Sequence, residues 1–152
     1  VQSIRPAFAG SIEASIASIH QRSIDMPREV IHTEHAPAAI GNYSQAIKCG
    51  HTVYLSGQLP INPQTQQPNN ASVDDQIHQV FANLRAVAEA SGGDLAHVAK
   101  LNIYLTDLAD APKVNQIMAE YFSKPYPARA AIGIASLPQN FRIEAEAILV
   151  LE

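Results

Sequence analysis

Phe141-Arg142-Ile143-Glu144-Ala145-Glu146-Ala147-Ile148-Leu149-Val150 is the stretch on which the reading of the fold turns. Phe141, Ile143, Ala145 and Ala147 fall on one face, and Arg142, Glu144 and Glu146 on the other. That period of two predicts a strand with one side buried. A carboxylate inside such a strand is costly unless it is paired or used. Just upstream, Ala128 to Ala135 is apolar apart from Arg129, and Ser136-Leu137-Pro138-Gln139-Asn140 joins the two segments. Paired as a hairpin, they admit two registers. One sets Arg129 directly across from Glu144; a one-residue slip puts the two on opposite faces. Spacing alone leaves two roles open, a cross-strand ion pair of Arg129 or Arg142 with Glu144, and a catalytic one.

Working outward, Val98 to Thr106 alternates again, with Ala99, Leu101, Ile103 and Leu105 on its apolar face. Asp110 is the expected N-cap of a helix that tolerates Pro112 in its first turn and buries Val114, Ile117, Met118 and Tyr121. An earlier helix is capped by Ser72, with Asp74 and Asp75 where its dipole favours acids. Ile77, Val80, Phe81, Leu84 and Ala88 form its stripe, and Ser91-Gly92-Gly93 stops it. Pro60 to Asn70 reads as loop, and Ser44–Cys49 with Thr52–Ser56 reads as a hairpin turning at Gly50-His51. The order ββαβαββ predicts an α+β sheet with both helices on one face.

Residues 1–25 differ in texture: five serines, and Ile12, Ile16 and Ile19 at helical spacing. They are expected to be a leader, translated upstream or left by cloning, ahead of a domain over 26–152; a targeting presequence is the competing reading. The segment carries Arg5, Arg22, Glu13 and Asp25, so the domain keeps the chain's formal charge of −4. With no basic block, nucleic acid is not an expected partner. No apolar run of membrane-spanning length occurs, and the lone Cys49 excludes an intrachain disulfide and suits a reducing compartment such as the cytoplasm. Charged residues are only 16% of the chain, against about 25% in an ordinary domain, while Gln occurs 11 times and Asn 8 times. Subunit interfaces are depleted in charge, so an oligomer is expected.

Six histidines are present, but only His32 and His35 are close in sequence, and no Asp, Glu or Cys accompanies them at ligand spacing. No metal site is expected, and Cys49 reads as a small buried hydrophobe. No phosphate loop, dinucleotide fingerprint or nucleophile elbow occurs. Gly41-Asn42-Tyr43-Ser44 and Ser56-Gly57-Gln58 flank the first hairpin, and Gly57 could admit a ligand close to the backbone.

Ala36-Pro37-Ala38-Ala39-Ile40-Gly41-Asn42-Tyr43-Ser44-Gln45-Ala46, Ser56-Gly57-Gln58-Leu59-Pro60, and Pro127-Ala128-Arg129 with Ile143-Glu144-Ala145-Glu146 downstream together resemble the Rid family of reactive intermediate deaminases. The resemblance covers about Arg28 to Val150. It implies a chorismate-mutase-like fold, a homotrimer with clefts between subunits, no cofactor, and hydrolysis of 2-imino acids such as 2-iminobutanoate and 2-iminopropanoate to 2-oxo acids and ammonia. By position, Arg129 would hold the substrate carboxylate and Glu144 would activate water, with Tyr43, Ser56, Gly57, Asn115 and Ala131 lining the pocket. The sequence departs from the family in two places. Ala131 stands where many members have Cys, and the segment between Asn115 and Arg129 is a few residues short. The alternatives are a carboxylate-binding trimer without catalysis and a translation-inhibiting ribonuclease.

Overall fold

The computed structural model describes residues 27–152, so the expected leader over 1–25 lies outside the described residues. The elements are β1 (Arg28–Ile31), β2 (Ala46–Cys49), β3 (Thr52–Gln58), β4 (Ile61–Asn62), β5 (Gln67–Pro68), α1 (Val73–Ala90), β6 (Val98–Leu105), α2 (Ala111–Tyr121), β7 (Ala128–Gly133) and β8 (Ile143–Val150). Six strands form one sheet in the order β1-β2-β3-β8-β6-β7, antiparallel except for the parallel pair β6–β7. The loop expected over Pro60 to Asn70 contains the small β4–β5 ladder, and the edge strand β1 adds to the expected order.

Both helices cover one face of the sheet, as expected for this α+β fold. The Ser72 hydroxyl accepts from the Asp75 N–H at 3.0 Å and starts α1. Ile77, Val80, Phe81 and Leu84 then meet Leu101, Ile103, Leu105, Ile143 and Leu149 in a single core. Phe81 ties α1 to the end of α2, packing on the Tyr121 and Phe122 rings with centroids 5.5 and 5.6 Å away. Tyr121, expected to be buried, is partly exposed; Arg85 lies over its ring at 5.5 Å.

Two bulges interrupt the ladders, and the first corrects a local expectation. Ala99 is the extra residue where β6 slips against β8, so Val98 takes the buried position and Ala99 is exposed. On β3, Ser56 and Gly57 fall in a second irregularity between Leu55 and Gln58, opposite β8.

The expected hairpin between the last two segments does not form. β6 lies between β7 and β8, and the connecting segment arcs over its end. There the Ile134 N–H donates to the Leu105 carbonyl at 2.8 Å and the Thr106 N–H to the Arg142 carbonyl at 3.1 Å. β8, alternating and apolar on its inner face, takes a central place. β7 is nearly all exposed and takes the edge.

Candidate active site

Arg129 pairs in register with Leu101, a core residue, so its side chain leaves the sheet on the helix side. There its Nη1 donates to Asn115 Oδ1 at 2.7 Å and to Met118 Sδ at 3.3 Å. Asn115 and Met118 are three residues apart and share one face of α2. One nitrogen of the guanidinium is thereby anchored while the group remains exposed. It borders a cavity of about 350 Å³ whose other walls are Ala119, Tyr126 and Pro127. Ala131 follows on the same side of β7 in register with Ile103, and its side chain brings no polar atom.

Glu144 pairs with Tyr104 and therefore lies on the opposite face, the one without helices. Arg129 and Glu144 are thus two strands apart on different faces of one subunit, and neither expected ion pair exists. Arg142 instead turns to Asp110 Oδ2, at 2.7 Å from Nη2, and to Asp107 Oδ2 at 3.3 Å. Asp110, expected as a helix cap, makes no side-chain cap bond because its carboxylate holds Arg142.

Gly57 explains the place of the Glu144 carboxylate. A Cβ at Gly57 would collide with Glu144 Oε1 and stand 2.9 Å from its Cδ. The β3 bulge and the missing side chain together make the space in which the carboxylate rests. Among the described residues Glu144 has no hydrogen-bond partner, and no buried side-chain oxygen or nitrogen lacks one, so its oxygens are open to solvent. Burial, with the charge of Glu146 as the smaller cause, raises its pKa above the ordinary carboxylate value.

Tyr43 and Gly57 line a second cavity of about 310 Å³, with Ile40, Gln58 and Pro138 among its walls. The Ser56 hydroxyl donates to the Ser44 carbonyl at 2.6 Å and fastens the Tyr43 loop to the bulge. The expected site residues therefore form two groups. Tyr43, Ser56, Gly57 and Glu144 make one; Asn115, Arg129 and Ala131 make the other.

Reasoning from sequence missed Gln45, whose amide donates to the Pro37 and Thr33 carbonyls at 2.8 and 3.0 Å and accepts from the Thr33 N–H at 2.7 Å. It pins the loop that carries Tyr43, and no periodic signal marks such a role. Met118, expected in the core, also meets Arg129: its spacing from Asn115 sets both on one face of α2, where the guanidinium reaches them. Cys49, read as buried, is half-buried. Among the described residues no three His, Cys, Asp or Glu side chains are grouped to hold a metal, and no helix is long and apolar enough to cross a membrane.

Residues 33–151 match the family described as Endoribonuclease L-PSP. The chain belongs to this family. Over 126 residues it is 44% identical to a 2-iminobutanoate/2-iminopropanoate deaminase of Dermatophagoides farinae, covering 83% of this chain and 98% of that one. It is 46% identical to the chloroplastic Reactive Intermediate Deaminase A of Arabidopsis thaliana, over 89% of this chain and 72% of the relative. The crystal structure of RidA from the Antarctic bacterium Psychrobacter sp. superposes with a TM-score of 0.78 at 46% identity, covering 81% of this chain and 99% of that one. That of E. coli TdcF with bound serine gives 0.78 at 35% identity, covering 82% and 99%. The Rid-family resemblance and its α+β fold are borne out.

Proposed function

We infer that the protein is an imine deaminase, hydrolysing reactive 2-imino acids to 2-oxo acids and ammonia. The observation that carries this is Arg129, anchored at one nitrogen by Asn115 and exposed at the lip of a cavity. A guanidinium so held offers its remaining N–H groups to a carboxylate. The relatives named as 2-iminobutanoate/2-iminopropanoate deaminases, and TdcF with its bound serine, an amino acid carrying such a carboxylate, support the same reading.

With the carboxylate on Arg129, C2 of the imino acid is already electrophilic, so the chemistry calls for orientation, one water and proton management, and no cofactor. Glu144 takes a proton from water as its oxygen bonds to C2 and the C=N π electrons move to nitrogen. That proton passes on to nitrogen and gives the carbinolamine. Glu144 then takes the remaining hydroxyl proton and passes it to the amino group, so the C2–N bond breaks, its electron pair leaves with ammonia, and the carbonyl forms. A carboxylate whose proton affinity is raised suits a group that takes and returns a proton near neutrality.

Because Arg129 and Glu144 lie on opposite faces of one subunit, the site is completed between copies of the chain. We propose a homotrimer with the cleft between neighbours, one giving Arg129, Asn115 and Ala131, the next Tyr43, Ser56, Gly57 and Glu144. The apolar residues on the helix-free face support burial against other copies: Val30, Tyr54 and Ile132 are 64%, 52% and 49% exposed. A cytoplasmic location fits the single, unbridged Cys49. The family description names an endoribonuclease, but Lys113 and Arg142 are committed to Asp74, Asp107 and Asp110 and offer no basic tract.

The test generates 2-iminopropanoate in situ, traps the residual imine and measures whether the protein accelerates its loss. Arg129→Ala is expected to reduce turnover to near background. Arg129→Lys is expected not to restore it, because an ammonium lacks the planar pair of donors. Wild-type rates in both variants would overturn the assignment.

A further inference from the structure

Glu144 and Glu146 project from the same face of β8, yet their surroundings differ. Glu146 is held: the Tyr104 hydroxyl donates to its Oε1 at 2.7 Å and the Asn102 amide to the same oxygen at 3.1 Å. Tyr104 is the register partner of Glu144, not of Glu146, so it reaches diagonally past the first carboxylate to bind the second. Glu144 has no such donor among the described residues and rests against Gly57.

We propose that Glu146, clamped by Tyr104 and Asn102, is a positioning residue of the deaminase: a carboxylate fixed two residues from Glu144 and already taken up by two donors leaves Glu144 the member of the pair that takes up and returns the proton. The proposal rests on the role given to Glu144 above.

Two donors occupy Glu146 Oε1, while Glu144 carries desolvation without a compensating donor. The unclamped carboxylate is the one free to accept a proton from water. In the reaction, water adds to C2 as its first proton passes to Glu144 and on to nitrogen; the hydroxyl proton then follows by the same carboxylate, and ammonia departs with the C2–N electron pair as the carbonyl forms. Glu146 forms no bond to substrate. The raised proton affinity of Glu144, of which Glu146 is the second cause, agrees with this. So does the Tyr104 hydroxyl, pushed up to about 12 first by its bond to Glu146.

Few other charges face the pair. β6 brings Lys100 as well as Tyr104, β3 brings Tyr54, and β7 brings only Ala128, Ala130 and Ile132. Cys49 and Arg28 lie on this face at its far edge. Arg142, ahead of β8, is occupied by Asp107 and Asp110.

The experiment uses the full-length protein with carboxyl-labelled glutamate, following the Glu144 titration by carbon NMR and the pH profile of kcat/KM for 2-iminopropanoate. Glu146→Gln is expected to lower the Glu144 midpoint by about half a pH unit or more and to carry the acid limb of the profile with it. Tyr104→Phe, which keeps the ring and the carboxylate, is expected to move both in the same direction by less, and serves if Glu146→Gln does not fold. A Glu144 midpoint unchanged in both variants would overturn the proposal whatever the rates. A midpoint that moves while the acid limb stays fixed would instead overturn Glu144 as the proton carrier, and the catalytic claim with it.

Discussion

Gly57 and Glu144 show how one missing side chain makes room for a carboxylate. The backbone of Gly57 lies outside the left-handed region, so alanine is conformationally acceptable there and acts only through its Cβ. Gly57→Ala is therefore expected to displace the Glu144 carboxylate and lower kcat roughly tenfold to a hundredfold with the fold retained, checked by steady-state rates beside circular dichroism. Glu144 also links site to stability. Its pKa is raised in the folded state, first by burial and then by Glu146. Its ionisation therefore opposes folding: the folded chain is favoured where Glu144 is protonated, and that advantage is lost as pH rises through the raised pKa. Glu144→Gln removes the charge, so it is expected to raise Tm by about 1–3 °C at neutral pH and to leave it nearly unchanged at acid pH, while turnover falls. Melting curves at the two pH values check this.

Between elements, neutral amides do the joining. Gln45, Gln58, Gln76 and Asn83 are all buried. Asn83 on α1 donates to the Leu59 and Ile61 carbonyls, both at 3.0 Å, and ties the β3–β4 connection to the helix. Gln76 accepts the Arg142 N–H at 2.8 Å, where the chain enters β8. The sparse charge of the chain thus has a partial source inside the fold. Asn83→Ala is expected to cost about 1–3 kcal/mol, because two carbonyls lose a donor in a site water reaches poorly; denaturant melts measure it. The strand order is also decided at this scale. Strands joined by a short segment usually pair. Here α2 returns β7 parallel to β6, and β8 takes the opposite side of β6, where its apolar face meets α1 and the core.

For the whole molecule, the proposed trimer carries its own test: if the two groups of site residues meet only between subunits, activity requires oligomerisation. Arg129→Ala and Glu144→Ala chains, each inactive alone, are expected to regain activity when unfolded together and refolded. In randomly mixed trimers about a quarter of the clefts would combine an intact Arg129 with an intact Glu144. No recovery from mixtures that demonstrably exchange subunits would show that each chain carries its site alone.

The amino-acid sequence determined what local chemistry controls. Periodicity set the faces of β6, β8 and both helices, Ser72 and Ser91-Gly92-Gly93 bounded α1, and separated motifs marked Arg129, Glu144 and Gly57. These signals reside in residues near one another along the chain. Tertiary structure alone decided which strands are neighbours, and so which charges meet. It gave Arg142 to Asp107 and Asp110, held Arg129 with Asn115 and Met118, and clamped Glu146 with Tyr104 and Asn102. Pairing between strands is a competition among distant segments for places in one sheet. Its outcome depends on how much apolar surface each strand can bury, a quantity set by the whole fold and not by the turn between two strands.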